Sequence, residues 1–550
     1  MIPNLKIIPL GGIGEIGKNM TVIEFGNDII IIDCGMGFPS VAMYGIDSVY
    51  PDITYLKNNS SRIKGLIVTH GHEDHIGAIP YLISKLNIPI YTTALTAALI
   101  ELKLEELDLL YTTQIFTKKQ GSKFKLGVFN IEFINVNHSI PDSIALAITT
   151  PVGTIVHTGD FKIDLTPYSG EIIDLARFGE LGNAGVLALL SDSTNVEKPG
   201  HSDSEMKVGL TFDKLFKDCD KRIIITTFAS NIHRLQQIIS VASKYGRKVA
   251  VTGRSMENVI KVASVLGYIE FKNGTVVALD VANKLPPEKT VIISTGSQGE
   301  SMSALYRMAY GEHKQISISS NDRIIISASA IPGNENMISG VIDELYRRGA
   351  EVIYDRNTDL HVSGHAPQED LKTILGLIKP KYFIPVHGEY RMLIKHSELA
   401  RLMGVKEANI YIPNLGDVIE INKKSIRKTD SVQAGAVLVD GSGIGEIGDV
   451  VLHDRHKLAE DGMVVVVVPY STYDGSMVTK PQIVTRGFIY VKENESLVNE
   501  LEYLVADIVE CNENPNDTNA LKSTIKSNVS SYLYKQTKRN PMVLPVIIEL

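Results

Sequence analysis

From Leu5 to about Asp192, apolar residues come in short runs of the length of a β-strand. Runs of this kind occupy 29–33, 65–69, 131–136, 144–149 and 154–157. Between them lie helical stretches such as 93–109, in which the apolar residues fall on one face. This mixture of strands and helices predicts an α/β domain.

The pattern of apolar runs changes between about 205 and 358. Short apolar runs here mostly alternate with helix-like segments such as 334–349, and the runs occupy 223–228, 249–252, 291–295, 324–328 and 352–354. Such alternation is typical of a parallel sheet wound with helices. We therefore predict a second α/β domain.

After about 360, short strands and loops return, and the chain ends in what we predict to be a small α+β unit. Its last strand is expected at 543–550. Two helical stripes of apolar residues precede this strand, formed by Leu497, Leu501, Leu504 and Ile508 and by Leu521, Ile525, Val529 and Leu533.

Gly12, Gly14 and Gly17 in "PLGGIGEIGKN" have the G-x-G-x-x-G spacing of a dinucleotide-binding turn. That motif works only where a helix follows, because the helix N-terminus faces the pyrophosphate. Two β-rich runs, 20–25 and 29–32, follow instead and predict a hairpin after a tight turn. The hexapeptide GIGEIG recurs at 443–448, where we again expect no correctly placed strand and helix.

The 550 residues are enough for about three domains. Composition is that of a globular chain, with 44% apolar and 21% charged residues. The 55 Lys and Arg against 63 Asp and Glu give a net charge of −8, which argues against a nucleic-acid-coating surface over the whole chain. Any nucleic-acid function must therefore rest on a local site.

Cys34, Cys219 and Cys511 are far apart and form no disulfide framework, so we interpret each as a small buried apolar residue in a reducing compartment. Aliphatic stretches such as 463–468 are far too short to span a membrane. The N-terminal MIPNLKIIPL lacks the basic segment and the cleavage site of a signal peptide. We expect a cytoplasmic protein with no membrane partner.

The segment "THGHEDH", from Thr69 to His75, follows a strand-like run and precedes a helix-like one. Its three imidazoles and its carboxylates each need a partner once they are desolvated, and a bound cation supplies one. The alternation places His70 and His72 toward one metal ion and Asp74 and His75 toward a second. A closed mononuclear zinc site or a satisfied polar loop is the alternative.

Imidazole and carboxylate ligands suit zinc best, with manganese or magnesium as further candidates. Two divalent ions about 3.5–4 Å apart can share a bridging hydroxide as nucleophile. The pattern therefore favours metal-assisted hydrolysis.

His138, Asp160 and His387 each follow a strand-like run, in "NHSIPDS", "HTGDFKID" and "PVHGE". In an α/β fold such positions project from one sheet edge, where the ligands of one centre gather. Other histidines lack such companions and are interpreted as surface or core residues: His157, His201, His233, His313, His396, His453 and His456. His233 is a partial exception, because it lies beside "TFASN" and is a candidate for facing a phosphate.

These residues resemble the ligand order of the metallo-β-lactamase superfamily, and Asp33 in "IIDCG" looks like its first, structural acid. The 227 positions from Asp160 to His387 (387 − 160) resemble the long insertion of the β-CASP nucleases. "SDSTN" with Asp192, "HVSGH" with His365 and "PVHGE" look like the motifs A, B and C of that group. With "TGSQGE", "SASAIPGNE" and "KRNPMVLPVIIEL", the chain resembles the ribonuclease J family over nearly its whole length.

The resemblance implies a metallo-β-lactamase αββα sandwich with an inserted β-CASP α/β domain and a small C-terminal α+β domain. We place the sandwich at 1–204 and 359–447, the insertion at 205–358, and a linker with the C-terminal domain at 448–550.

The resemblance also implies how the ligands divide. One metal ion is held by His70, His72 and His138, the other by Asp74, His75 and His387, and Asp160 bridges them. A bridging hydroxide would attack the phosphodiester in line and leave a 5′-phosphate and a 3′-hydroxyl.

Asp74, Asp192 and His365 are the candidate catalytic residues. His365 is a candidate for donating a proton to the leaving oxygen or for binding a phosphate oxygen. Asp192 is a candidate for orienting His365 or an outer-shell partner of the metals, or for a purely structural role.

By the same resemblance the chain is a 5′-to-3′ exonuclease that also cuts internally, acting on single-stranded RNA with a 5′-monophosphate in rRNA processing and mRNA decay. Hydroxyl and backbone N–H groups suit such a phosphate. The predicted pocket residues are Ser230, Asn231, His233, His361, Ser363, Gly364 and His365. For Ser230 and Ser363 the alternative is a helix cap.

RNA binding also requires positive charge, so we expect a basic channel between the first two domains, with Lys162, Arg254 and Arg307 as candidates. The C-terminal unit is poor in ligands, and by resemblance it is assigned to self-association or to docking with a paralogue. By resemblance the protein forms a homodimer or homotetramer, or associates with a paralogous subunit.

Three other functions stay open. A DNA-directed β-CASP nuclease is compatible because metals contact phosphate, and no motif here reveals 2′-hydroxyl contacts. The long insertion disfavours a small-molecule metallo-hydrolase. The intact ligand set disfavours a non-enzymatic scaffold.

Overall fold

The computed structural model describes residues 4–40, 43–300, 303–329, 334–354, 358–471, 473, 476–512 and 517–549. The chain forms a larger unit, Met1–Phe38 with Val49–Val437, and a smaller unit, Pro39–Ser48 with Leu438–Leu550. Residues 330–333 of the "SASAIPGNE" motif lie outside the described residues.

The first part of the chain contains the predicted strands and helices. Its elements are β1 (Leu5–Gly11), β2 (Ile13–Gly14), β3 (Met20–Phe25), β4 (Asp28–Ile32), β5 (Ser48–Pro51), α1 (Thr54–Asn58), β6 (Ile63–Ile67), α2 (Glu73–Ile76), α3 (Ile79–Lys85), β7 (Ile90–Thr92), α4 (Ala94–Glu105), β8 (Ile115–Thr117), β9 (Lys123–Leu126), β10 (Phe129–Asn135), β11 (Ile144–Thr150), β12 (Gly153–His157), α5 (Leu175–Ala184) and β13 (Val186–Asp192). The hairpin predicted after the glycine turn is confirmed, since β3 pairs antiparallel with β4.

The second region has the alternating order that its pattern predicts. Its elements are α6 (Met206–Phe216), β14 (Arg222–Thr226), α7 (Ile232–Lys244), β15 (Lys248–Thr252), α8 (Arg254–Val265), α9 (Leu279–Ala282), β16 (Thr290–Ser294), α10 (Ala304–Tyr310), β17 (Asp322–Ile326), α11 (Glu335–Arg347) and β18 (Glu351–Ile353). The strands form one sheet in the order β15-β16-β14-β17-β18, and every neighbouring pair is parallel.

The chain then returns to the first region with α12 (Gln368–Ile378), β19 (Tyr382–Val386), β20 (Gly388–Glu389), α13 (Tyr390–Leu402), β21 (Asp417–Ile421) and β22 (Ile426–Ser431). One sheet has the order β22-β21-β1-β3-β4-β6-β7-β8, and the other has the order β19-β13-β12-β11-β10-β9. Ile30 and Ile67 of the first sheet share a buried cluster with Phe133 and Leu190 of the second.

The outer faces of both sheets are covered by helices. Apolar residues of α3 and α4 pack with the first sheet, and those of α5, α12 and α13 pack with the second. This is the αββα sandwich that the resemblance implies. A continuous core joins it to the insertion, because Leu360 and Val362 share a cluster with Phe212 and Ile223.

The smaller unit has its own core. From β23, which starts in the larger unit, the elements are β23 (Ala436–Asp440), β24 (Gly443–Ile444), α14 (Asp449–Asp461), β25 (Met463–Tyr470), β26 (Gln482–Arg486), α15 (Glu495–Glu510), α16 (Thr518–Thr537) and β27 (Met542–Glu549). Central β25 pairs antiparallel with β26 and parallel with β27. The predicted apolar stripes of α15 and α16 bury Leu501 and Ile525 against Val464 of β25.

Strand β23 and helix α14 flank the second GIGEIG, but β24 turns back antiparallel to β23, so they are not placed as a dinucleotide-binding unit requires, as expected. One expectation about the cysteines is wrong. Cys34 and Cys219 are buried as expected, but Cys511 is exposed, and all three are free.

No helix in the described parts of the chain has the length and apolarity needed to cross a membrane.

Candidate metal centre

The candidate ligands follow the ends of strands in both sheets of the sandwich. The "THGHEDH" loop follows β6, His138 follows β10, Asp160 follows β12, and His387 follows β19. The structure brings all of them together in groups whose possible ligand atoms lie within 4.8 Å of one another. The groups are His70, His72 and His138; Asp74, His75, Asp160 and His387; and Asp160, Asp192, His365 and His387.

The first group consists of three converging imidazoles. Nε2 of His70 and Nε2 of His138 each lie 3.1 Å from Nδ1 of His72. The outward nitrogens have other partners: Nδ1 of His138 donates to the Gly364 carbonyl at 2.7 Å, and Nδ1 of His70 lies 3.1 Å from the Thr69 hydroxyl. A neutral imidazole carries one proton, so His138 turns an unprotonated Nε2 inward.

Burial keeps these rings neutral. It lowers the pKa of His72 to about 4 and lowers the pKa of His70 and of His138 as well. Neutral nitrogens that point at a common centre are the donor set that a divalent cation prefers.

The second group combines carboxylates with two imidazoles. Nε2 of His75 lies 3.3 Å from Asp160, and Nε2 of His387 lies 3.2 Å from Asp74. The Asp160 carboxylate stands between the groups, because one oxygen is 2.8 Å from Nδ1 of His387 and the other is 3.7 Å from Nε2 of His70.

Two observations fit a cation in the second group. Burial alone would lower the pKa of His387, but Asp160 and Asp74 raise it to about 10, so the carboxylates leave an excess of negative charge around this ring. Nε2 of His387 is buried and makes no hydrogen bond of adequate geometry within the described residues. A cation would satisfy both.

A second layer of side chains orients these ligands. Asp33 accepts hydrogen bonds from the backbone N–H of Thr69 at 2.7 Å and from its hydroxyl at 2.9 Å, and it lies 2.8 Å from Nδ1 of His75. Asn19 donates to the Asp74 carbonyl at 3.1 Å. Asp33 occupies the place expected of a structural acid, whereas Thr69 and Asn19 had not been predicted. For Asn19 the available signal was its position directly after the glycine turn.

The glycine run that resembles a dinucleotide motif builds a wall of the site. Gly12 has φ +74°, and its carbonyl accepts the backbone N–H of His387 at 2.9 Å. A Cβ on Gly12 would lie 2.2 Å from Oδ1 of Asn19. Next to it, β2 pairs with β20, so the turn holds the loop that carries His387.

Asp192 and His365 form a pair beside both ligand groups. Oδ2 of Asp192 lies 2.8 Å from Nδ1 of His365, and Oδ1 accepts two hydrogen bonds from Thr194. The His365 ring centre is 5.1 Å from that of His138 and 5.6 Å from that of His387. This geometry favours the orienting role of Asp192.

The predicted pocket residues of "HVSGH" lie along one segment that belongs to no helix or strand and bends at Gly364 and His365. Leu360 and Val362 are buried, while His361, Ser363 and His365 are half-buried. Ser363 accepts a hydrogen bond from Asn195 at 2.7 Å, and Nδ1 of His361 lies 3.1 Å from Nη1 of Arg234. Helix α12 begins only after Pro367, so Ser363 is not its cap.

The start of α7 carries the other predicted pocket residues. Asn231 is the N-cap of α7 and accepts the backbone N–H of Arg234 at 3.2 Å, so Ser230 is not the cap. Nδ1 of His233 lies 2.9 Å from the Ser169 hydroxyl, and burial lowers the His233 pKa to about 4. No hydrogen bond between the described residues joins Ser230, Asn231 or His233 to the candidate metal ligands.

The three candidates for a basic channel differ in exposure. Lys162 is buried and lies 3.7 Å from both Asp164 and Glu205, so the prediction that it lines an open channel is wrong. Arg254 is exposed at the start of α8, and Arg307 is half-buried in α10. A buried ion pair explains why a lysine near the site does not reach solvent.

Four family models match the chain. They are described as "Metallo-beta-lactamase superfamily" at residues 13–224, "Ribonuclease J, beta-CASP domain" at 220–345, "Zn-dependent metallo-hydrolase RNA specificity domain" at 349–413 and "Ribonuclease J C-terminal domain" at 450–550.

Curated relatives match over the full length. Ribonuclease J2 of Bacillus subtilis is 42% identical, with 100% of this chain and 99% of the relative covered. Ribonuclease J of Synechocystis is 44% identical, with 98% and 86% covered, and ribonuclease J 1 of Streptococcus pyogenes is 42% identical, with 99% and 98% covered.

A crystal structure of a protein of unknown function from Enterococcus faecalis is similar in fold. It has a TM-score of 0.53 and 18% identity, and the match covers 76% of this chain and 100% of that one. At this identity the likeness concerns the fold alone.

Proposed function

The chain belongs to the ribonuclease J family and is a hydrolytic ribonuclease, and from this premise we propose that it removes nucleotides from the 5′-monophosphate end of single-stranded RNA and also cuts internally. The observation that carries the proposal is the close approach of two ligand groups at one edge of the sandwich, with Asp160 in one group and 3.7 Å from His70 of the other. In this proposal the protein acts in rRNA processing and mRNA decay.

Two divalent ions fit the ligand set, with zinc first and manganese or magnesium as further candidates. His70, His72 and His138 would hold one ion, and Asp74, His75 and His387 the other, with Asp160 between them. When bound, such ions supply an activated water and offset the charge that builds on the phosphoryl oxygens.

The residues of the chain position the RNA and move the proton. Nδ1 of His365 lies 2.8 Å from Asp192 and 3.8 Å from Asp160, which leaves Nε2 for the RNA. Burial lowers the pKa of His365, but the charges of Asp192 and Asp160 raise it above its usual value, and the doubly protonated ring gives its Nε2 proton to the leaving 3′-oxygen. The products are a 5′-phosphate and a 3′-hydroxyl.

The 5′-phosphate pocket lies between the "HVSGH" segment and the start of α7. Ser363, Gly364 and His361 come from the segment, and Ser230, Asn231 and His233 come from the helix start. Backbone N–H groups at a helix N-terminus attract phosphate. The Arg234 contact to His361 supports this placement, because it ties the two walls together.

The experiment is digestion of an RNA labelled at its 3′ end that carries a 5′-monophosphate, a 5′-triphosphate or a 5′-hydroxyl, with and without chelator. We expect metal-dependent, 5′-to-3′ degradation that is fastest for the monophosphate. Matched DNA tests the choice of sugar. His72→Ala should abolish cleavage, and His201→Ala, at a side chain that is 71% exposed, is the control.

Full activity of His72→Ala, or degradation that resists the chelator, would contradict the metal centre. Equal rates on all three 5′ ends would contradict the pocket alone.

The domain boundaries at 204, 358 and 447, the cytoplasmic location and the assembly stay proposals. We propose a homodimer or homotetramer, with a paralogous subunit as a further partner. Mass measurement of the purified chain in solution tests the assembly.

A further inference from the structure

We propose that Arg234 is a positioning residue for the 5′ end of the RNA: it fixes the tautomer of His361, so that His361 presents its Nε2–H to the terminal phosphate. This inference rests on the proposed 5′-phosphate pocket. It concerns a residue that no sequence motif had indicated.

Arg234 joins three segments that are distant in sequence. Its side chain is fully buried in the first turn of α7. Nη1 donates to Nδ1 of His361 at 3.1 Å and to the Ser327 carbonyl at 2.9 Å, and Nη2 donates to Glu205 at 3.1 Å. The guanidinium therefore connects the entry of the inserted domain, the end of β17 and the segment that returns to the sandwich.

The direction of the contact with His361 decides the tautomer. A guanidinium has only donors, so Nδ1 of His361 must accept. Burial, helped by the Arg234 charge, lowers the His361 pKa to about 3, so the ring is neutral and carries its single proton on Nε2. No further hydrogen bond to this ring is found among the described residues, and the side chain is only half-buried.

Arg234 is itself held in place by Glu205. The Glu205 backbone N–H donates to Asp164 at 3.1 Å, and its carbonyl accepts Nε2 of Gln237 at 2.6 Å. Burial would raise the pKa of Glu205, but the charges of Arg234 and Lys162 outweigh it and the pKa is lowered. An ionised, anchored carboxylate leaves the guanidinium little freedom to turn away from His361.

The placement of His361 makes its free N–H useful. His361, Ser363 and His365 are the half-buried residues of one short segment, and His365 lies beside both ligand groups. In the proposed pocket, a phosphate bound at Ser363 would meet the His361 donor from the part of the segment before Ser363 and His365 from the part after it. A wrong tautomer would turn a lone pair toward the phosphate and repel it.

The test compares four variants of the full chain by the ratio of kcat/KM for 5′-monophosphate RNA to that for the same RNA with a 5′-hydroxyl. Arg234→Gln and His361→Asn should each lower the ratio about tenfold, the effect of one hydrogen bond to a charged group. His361→Gln should keep most of the ratio, because its amide reaches the place of Nε2 without needing Arg234. Adding Arg234→Gln to His361→Gln should lower the ratio no further.

Arg247→Gln is the matched control. Arg247 is a buried arginine of the same domain that donates to the carbonyl of Lys221 at 2.9 Å, away from the pocket residues. We expect its ratio to equal that of the wild type. An equal fall in Arg247→Gln would assign the effect to general destabilisation and overturn the inference.

Two further outcomes separate this inference from the proposed function. If His361→Asn lowers the ratio and Arg234→Gln does not, the pocket stands and the role of Arg234 is overturned. If the wild type itself has a ratio near one, the pocket and the inference both fall.

A measurement on the wild type keeps the inference testable if the arginine variants do not fold. Nitrogen NMR of the chain labelled at histidine should show His361 protonated at Nε2 and unprotonated at Nδ1. The opposite assignment would overturn it.

Discussion

At the scale of single residues, the candidate metal centre depends on side chains that hold the candidate ligands in place without belonging to the ligand groups. Asp33 is the clearest case, since it contacts both His75 and Thr69 from a left-handed backbone with φ +60°. Asparagine adopts this conformation readily, so Asp33→Asn removes the charge without straining the backbone.

We predict that Asp33→Asn lowers metal affinity about 10- to 100-fold, the usual cost of losing an orienting partner. Competition titration with a chromogenic chelator measures it. Asp218→Asn is the control, because Asp218 is exposed and also has a positive φ of 54°. Unchanged metal affinity in Asp33→Asn would show that Asp33 does not orient the metal ligands.

Gly364 shows how closely the returning segment approaches the first ligand group. A Cβ there would lie 2.6 Å from Cε1 of His138, and the Gly364 carbonyl accepts the His138 N–H. We predict that Gly364→Ala displaces the ring and lowers both metal affinity and kcat at least tenfold, about 1.4 kcal/mol.

Gly179→Ala provides the comparison, because the added methyl group on α5 would meet nothing closer than 3.7 Å. Titration and single-turnover cleavage measure both variants. A fully active Gly364→Ala would show that the His138 ring has room to move.

At the scale of elements, the N-terminus of α7 has two functions that one substitution separates. Asn231 caps the helix and is also a proposed phosphate contact. Aspartate caps as well as asparagine does, but it places a negative charge where the phosphate would bind. We therefore predict that Asn231→Asp keeps the melting temperature and raises KM for 5′-monophosphate RNA.

Asn231→Ala should instead lower the free energy of unfolding by about 1 kcal/mol through loss of the cap. Thermal denaturation and steady-state kinetics distinguish the two variants. Equal KM in Asn231→Asp and the wild type would show that Asn231 caps the helix and does not contact the phosphate.

The glycine turn before β3 also contacts a distant part of the chain. Its short strand β2 pairs with β20, and its Gly12 carbonyl accepts the backbone N–H of His387, so the turn holds the His387 loop. A local pattern predicted the turn, because glycine supplies positive φ at little cost. The contact to β20 had no such signal, since the paired segments are more than 370 residues apart.

At the scale of the whole molecule, the chain carries a net charge of −8 and yet belongs to a family of RNA-cleaving enzymes. Lys162 is buried, so the positive potential must come from elsewhere on the surface. We predict that the logarithm of the affinity for single-stranded RNA falls linearly with the logarithm of the salt concentration, with a slope of about −0.7 per phosphate contacted. Fluorescence anisotropy measures the slope, and a flat response would contradict a basic channel.

The sequence by itself determined the elements and indicated the candidate ligands. Periodicity predicted the parallel sheet of the insertion and the helices of the smaller unit, because each element's pattern is local. The ligand residues were identifiable for the same reason, since THGHEDH, His138, Asp160 and His387 each stand just after a strand-like run.

Only the tertiary structure decided which residues surround those ligands. Asn19 meets Asp74 across 55 positions, and Arg234 meets His361 across 127. Arg234 has no pattern in its own neighbourhood and Asn19 has only its place after the glycine turn, because a contact between distant segments exists only once the sheets pack. The tertiary structure also decided which residues are buried. Lys162, a candidate for the channel, is buried in an ion pair, and Cys511 is exposed.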